Sequence, residues 1–343
     1  MSLSVRVNNQ EIRHSMIRMM FSALVLWALS MSSQAMGSKD PADWLERMVE
    51  ARKSETYSGT FVYSRGDEMS SMRVVHRLKN GVEQERLIAL DGEPREIVRN
   101  GERVICIFPG NEQVELEQAL PVGPFSAGIA GDIAPLASVY SISVAGMERL
   151  AGHEVVKVAL MAKDTFRYSY LLWLEKQSGL LVKSMLTGKE GEILERFQFT
   201  ELEIGKPVSD DEFTEILQGG VTSHLGQAQA EEKPIPYRWE PGWLPQGFSP
   251  APYVSKTNNV MPEKSRSRIY TDGLTLFTVF VEPVAEAGMP EGASKMGATS
   301  AYSRYMDVDS IRYVVTVVGE VPIETAKKVA DNMRMKANVE SSS

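Results

Sequence analysis

The sequence predicts a mostly β protein of α+β class: a large antiparallel sheet that curls, then a small antiparallel sheet with one helix. Three observations point there. Residues 56–116 run as alternating apolar and polar stretches between Asn-Gly and Asp-Gly turns, the strongest short-range sign of antiparallel hairpins. Residues 153–204 repeat that alternation, with an aromatic-rich strand from Thr165 to Glu175. Between residues 218 and 236 the chain carries almost no large apolar residue except Leu225, and a shorter patterned segment resumes beyond it.

The N-terminus reads as an export signal. Arg13, His14 and Arg18 precede the apolar run Met19 to Leu29, and Ser33-Gln34-Ala35 supplies small residues for cleavage. That run is shorter than the roughly 20 residues of a spanning helix, so residues 1–35 are expected to be removed and the mature chain to be secreted. Met16 is a natural alternative initiator. Removal leaves 34 basic residues against 44 acidic ones, a formal charge of −10, which disfavours nucleic acid as a partner. Cys106 is the single cysteine, set in the apolar strand Val104 to Phe108, so no intrachain disulfide forms and packing alone holds the fold.

Asp40 to Ser54 is predicted helical. Asp40 sits at the cap position, Pro41 at the first turn, and Trp44, Leu45, Met48 and Val49 recur at helical spacing. The following meander places Tyr57, Gly59, Phe61 and Tyr63 on one face of their strand, and Met72, Val74, His76 and Leu78 on one face of the next. Arg73, Arg77, Glu85 and Lys183 are expected on the opposite, solvated face. Residues 118–145 are broken by Pro and Gly and read as short helices or a loop folded across the sheet. Phe166, Tyr168, Tyr170, Leu172 and Leu174 share a face, as do Ile193, Phe197 and Phe199.

The expected domains are therefore a large unit over residues 36–217, a linker over 218–236, a small unit over 237–338 and a polar tail over 339–343. In the small unit, residues 267–283, 299–306 and 310–319 read as strands, the last two joined at Asp307-Val308-Asp309, and Pro322 to Met335 as a helix with Ile323, Ala326, Val329, Ala330 and Met333 inward.

No catalytic set is visible. The Gly-x-Ser-x-Gly elbow, the HExxH pair and the phosphate loop are all absent, and His76, His153 and His224 are isolated in sequence. The expectation is a binding protein without enzymatic activity, cofactor or metal. Its 18 methionines, added to aromatic strands, suit either the filling of a core or an open sheet that cradles an acyl chain. Alternation assigns Phe61, Tyr63, Met72, Val74, Phe166, Tyr168, Tyr170, Leu172, Phe197 and Phe199 to that lipid-facing surface. Arg266, Arg268, Tyr302, Arg304 and Tyr305 in the small unit are of the types that dominate protein interfaces and are the expected partner contacts.

The segments YSGTFVYSRG (residues 57–66), YLLWLEKQSGLLVKS (170–184), WLPQGF (243–248), TDGLTLFTVFVEP (271–283) and VTVVGEVPIETAKKVADNM (315–333) together resemble the MucB/RseB family of periplasmic regulators of an envelope-stress sigma factor. The resemblance implies a large domain similar to the lipoprotein carriers LolA and LolB, an unclosed β-barrel with a helical lid. It also implies binding to the periplasmic segment of a transmembrane anti-sigma factor, shielding of that segment from proteolysis, and release favoured by lipid or lipopolysaccharide fragments. A periplasmic lipid or lipoprotein carrier is the alternative, and a homodimer is compatible with either.

Overall fold

The structure, a computed structural model, describes residues 40–101, 103–108, 113–116, 135–213, 221–225, 239–251, 266–284 and 290–335. The export signal and the polar tail lie outside the described residues, as do most of the breaker-rich and linker segments.

Helix α1 (Pro41–Ser54) leads into β1 (Tyr57–Arg65), β2 (Glu68–Lys79), β3 (Val82–Ala89), β4 (Glu96–Asn100), β5 (Arg103–Ile107) and β6 (Gln113–Leu116). A single helical turn, α2 (Leu136–Val139), precedes β7 (Tyr140–Leu150), β8 (His153–Ala162), β9 (Ser169–Glu175), β10 (Leu181–Thr187) and β11 (Ile193–Ile204). A 3-10 turn (Asp210–Phe213) and β12 (Val221–Leu225) complete the first part. These strands form one twelve-stranded sheet in the order β12-β6-β5-β4-β3-β2-β1-β11-β10-β9-β8-β7. Its two end strands do not pair, so the sheet is unclosed, and every pairing is antiparallel except β12 with β6.

Local chemistry sets this register. Asn80 and Gly81 take φ of 54° and 78°, the paired positive values of a tight hairpin turn, and fix Lys79 opposite Val82. That registration carries Met72 to Ala89, Val74 to Leu87 and His76 to Glu85. On the other side Phe61 faces Met72 and Phe199, and Tyr63 faces Phe197, so the apolar positions of successive strands fall on one face. Helix α1 lays Trp44, Leu45 and Met48 onto that face over Val156, Val158, Leu172 and Leu174. Each such side chain contributes roughly 1.5–3 kcal/mol on burial.

The remaining elements are β13 (Trp239–Pro241), β14 (Ser249–Pro250), β15 (Arg266–Thr271), β16 (Leu276–Pro283), β17 (Gly292–Met296), β18 (Thr299–Val308), β19 (Ile311–Gly319), α3 (Ile323–Asp331) and β20 (Met333–Met335). They make a six-stranded sheet, β14-β15-β16-β19-β18-β17, and a β13-β20 ribbon. Helix α3 buries Ala326, Val329 and Ala330 against Phe277, Val279, Val315 and Val317.

The structure amends several expected elements. Tyr140 to Leu150 is an eleven-residue strand whose first part, residues 140–145, was expected as loop or short helix: its pairing with β8 supplies what its own sequence, with a bulge between Val144 and Gly146, does not advertise. Val221–Leu225, inside the expected linker, adds to the large sheet as β12. Residues 267–283 are a hairpin rather than one strand, turned at Asp272-Gly273. The turn between β18 and β19 is Asp309-Ser310, both at positive φ, two residues beyond the expected start. The last helix stops at Asp331, and Met333–Met335 pairs with β13.

Candidate functional site

The expected lipid-facing residues divide into those the register unites and those it does not. Phe61, Tyr63, Met72, Val74, Phe197 and Phe199 share one face across β2, β1 and β11. The pairs Ser184–Phe197, Leu172–Ser184 and Tyr170–Leu186 continue that face onto Leu172 and Tyr170. The Phe61 ring lies 4.9 Å from Phe197 and 5.8 Å from Phe199, forming an edge-to-face aromatic cluster. Tyr168 is buried immediately before β9. Phe166 departs from the expectation: β9 begins only at Ser169, and Phe166 instead meets Trp243 at 4.9 Å. A loop, closed by the Asp164 carboxylate accepting from the Phe166 amide at 2.9 Å, replaces the predicted start of the strand.

The expected solvated face also differs. Glu85 lies opposite His76, on the apolar face, and is buried. Arg73 and Arg77 do point the other way, and the 3-10 turn covers Arg77: it reaches Asp210 at 2.6 Å and lies 4.3 Å over the Phe213 ring, while Arg73 pairs with Glu212 at 3.0 Å and keeps 42% of its side chain exposed. Strand alternation shows which side a residue takes; it does not show what a later segment places on that side.

A feature without any local sequence signal joins the two sheets. Arg167, in the loop between β8 and β9, pairs with Asp272 at 2.5 Å, and both side chains are fully buried. The same guanidinium donates to Asp164 and to the Gln246 carbonyl, and stands over the rings of Tyr140 and Phe248. Asp272 in turn accepts from the amides of Leu274 and Thr275 at 3.0 and 2.9 Å, which fixes the β15–β16 turn. Burial lowers the affinity of the Arg167 guanidinium for its proton, but Asp164 and Asp272 outweigh it and the net shift is upward. Gly247, at φ +85°, passes so close to α2 that a Cβ there would lie 2.9 Å from Val139 Cγ1. Thr325 of α3 donates to the Phe166 carbonyl at 3.0 Å, and Leu274 and Ala298 bury in the same core cluster as Leu45 and Leu172.

The expected partner residues sit at the flanks of α3. The pairings Val281–Val315–Arg304 and Arg268–Val279–Val317–Tyr302 put Arg268, Tyr302 and Arg304 at register positions on the helix-covered face, and Arg266 pairs with Val281 at the start of β15. Tyr305 is on the reverse face, with the Arg312 guanidinium 5.8 Å from its ring. The β15 pair and the β18 pair are separated by β16 and β19, so they form two edges rather than one patch. On the β18 side, Arg304 meets Asp331 at 3.3 Å and Lys327 stacks 5.1 Å over Tyr302. Among the described residues, no helix is long and apolar enough to cross a membrane.

The architecture is that of a mostly β protein in which an open twelve-stranded sheet with a covering helix is locked to a smaller sheet-and-helix unit. The chain belongs to the MucB/RseB family: the model of the MucB/RseB N-terminal domain matches residues 40–217 and that of the C-terminal domain residues 233–334. It is 37% identical over 320 residues to the sigma factor AlgU regulatory protein MucB of Pseudomonas aeruginosa, covering 92% of this chain and 98% of that one. It is 29% identical to the sigma-E factor regulatory protein RseB of Haemophilus influenzae, covering 93% of this chain and 99% of the relative. The crystal structure of MucB in complex with MucA(peri) superposes with a TM-score of 0.68 at 35% identity, over 87% of this chain and 100% of that chain.

Proposed function

We propose that this chain is a periplasmic regulator that binds the periplasmic segment of a transmembrane anti-sigma factor and, by covering it, protects it from regulated proteolysis. Family membership across both matched segments carries the reading, together with a relative solved in complex with MucA(peri). A protein that acts by covering a segment needs contact area, not catalytic groups. In this reading residues 36–217 form the sensing unit, residues 237–338 supply much of the partner contact, and residues 218–236 link them. Arg266, Arg268, Tyr302, Arg304 and Tyr305 are the proposed partner contacts.

The same reading assigns lipid or lipopolysaccharide acyl chains to the aromatic and Met-bearing face around Phe61, Met72 and Phe197. A lipid shifts the equilibrium only if it binds the free and complexed forms with different affinity. The Arg167 junction offers the physical route: insertion under α1 displaces side chains packed against the β8–β9 loop, which is bonded to the small sheet. The test is a protease-protection assay with the mature chain and a partner's periplasmic segment, repeated with lipopolysaccharide fragments. Slower cleavage in complex, reversed by lipid, is the expected result. Equal cleavage with and without the chain sinks the proposal, and transfer of a labelled lipoprotein between membranes would favour the carrier alternative.

A further inference from the structure

On the apolar face of the large sheet, beneath the C-terminal end of α1, three ligating side chains converge. His76 on β2 pairs across the strands with Glu85 on β3, and Glu83 lies two residues earlier on the same face of β3. One ligand atom from each lies within 4.8 Å of the others. We propose that His76, Glu83 and Glu85 form a binding site for a divalent transition-metal ion of the zinc type.

The placement of the imidazole carries the argument. His76 Nδ1 is 2.8 Å from the Glu55 carbonyl, which only accepts, so Nδ1 holds the proton. The Tyr57 ring stacks on the imidazole at 4.8 Å and 19°, and the side chain is fully buried. The ring is thereby held in a fixed direction with Nε2 turned toward the carboxylates, and a histidine oriented through its other nitrogen is the arrangement in which it ligates a metal. Nε2 is buried without a hydrogen bond, and Glu83 Oε1 stands 3.4 Å from it. A divalent ion between Nε2 and the carboxylate oxygens would satisfy all three groups.

Glu85 supplies the second observation. It is 7% exposed, and no hydrogen bond or ion pair within 4.0 Å reaches its carboxylate among the described residues. Arg99, opposite Glu85 in the β3–β4 pairing, and Arg52 approach the cluster at Glu83 Oε1, at 3.2 and 4.0 Å, and act on Glu85 only through space. Burial outweighs their attraction and the net shift of the Glu85 carboxyl is upward. Zinc bonded to nitrogen and oxygen at about 2.0–2.2 Å places neighbouring tetrahedral ligands roughly 3.3 Å apart. The His76–Glu83 separation of 3.4 Å matches, and the ligand atom of Glu85 lies within 4.8 Å of both. The Glu83 side chain is 23% exposed, which gives an ion a way in from solvent.

The experiment is equilibrium dialysis of the chelator-stripped mature chain against micromolar zinc, with bound metal counted by mass spectrometry and cobalt absorption as a report of coordination. One zinc per chain is expected. Glu85→Gln, which keeps the volume, and His76→Gln should each weaken binding by at least about tenfold and abolish the zinc-dependent rise in melting temperature. Circular dichroism confirms that the variants fold. If His76→Gln is unfolded, Glu85→Gln decides alone. Zinc retained in a folded Glu85→Gln variant overturns the site, and so does the absence of zinc from the wild-type chain.

Discussion

Arg167 and Asp272 meet at 2.5 Å with both side chains closed to solvent, 105 residues apart in sequence, and they tie the large sheet to the small one. Removing one member of a buried pair leaves a charge without compensation and typically costs about 3–5 kcal/mol. Arg167→Met is expected to show that loss in urea unfolding. Adding Asp272→Asn, which keeps an acceptor for the Leu274 and Thr275 amides, should recover most of it. Full stability in Arg167→Met alone would show that the pair does not hold the junction.

A second prediction concerns acid stability. Burial raises the Glu175 carboxyl, but donation from the Ser178 amide and hydroxyl and from the Gln177 amide outweighs it, and the net shift is downward. A carboxyl with a folded-state pKa below its unfolded value stabilises the protein above the unfolded value. That contribution disappears as pH falls through the folded one. Glu175→Gln should therefore cost about 1–3 kcal/mol at neutral pH, and the gap from wild type should close on acidification. A gap independent of pH would refute the assignment.

The aromatic cluster should behave as a packed unit. Phe61→Ala is expected to cost about 3–5 kcal/mol. In a double-mutant cycle with Phe197→Ala, the ring pair at 4.9 Å should show a coupling of about 0.5–1.5 kcal/mol. Strict additivity would mean that the two rings do not support each other.

Arg304 separates binding from folding. Its ion pair with Asp331 is partly exposed, and such pairs contribute about 0–1 kcal/mol, so Arg304→Ala should leave melting nearly unchanged. As a proposed partner contact, its loss should weaken binding of the anti-sigma segment by about 1–2 kcal/mol in calorimetry. Unchanged affinity would remove this edge of α3 from the interface.

The sequence by itself determined most of the strands, the hairpin at Asn80-Gly81 and, within single strands, the faces that group Phe61 with Tyr63, Met72 with Val74 and Phe197 with Phe199. Those are consequences of period-two alternation and of a turn whose φ values only certain residues adopt. Tertiary structure decided the rest. Strand β7 exists because β8 pairs with it, Phe166 leaves the sheet because its loop is held by Asp164, and Arg77 loses solvent because residues 210–213 return across it. His76 and Glu85 became neighbours through a register that pairs strands, and Arg167 found Asp272 across more than a hundred residues. Periodicity reports which way a side chain points from its own strand; what it meets there depends on distant parts of the chain, and local spacing does not encode that encounter.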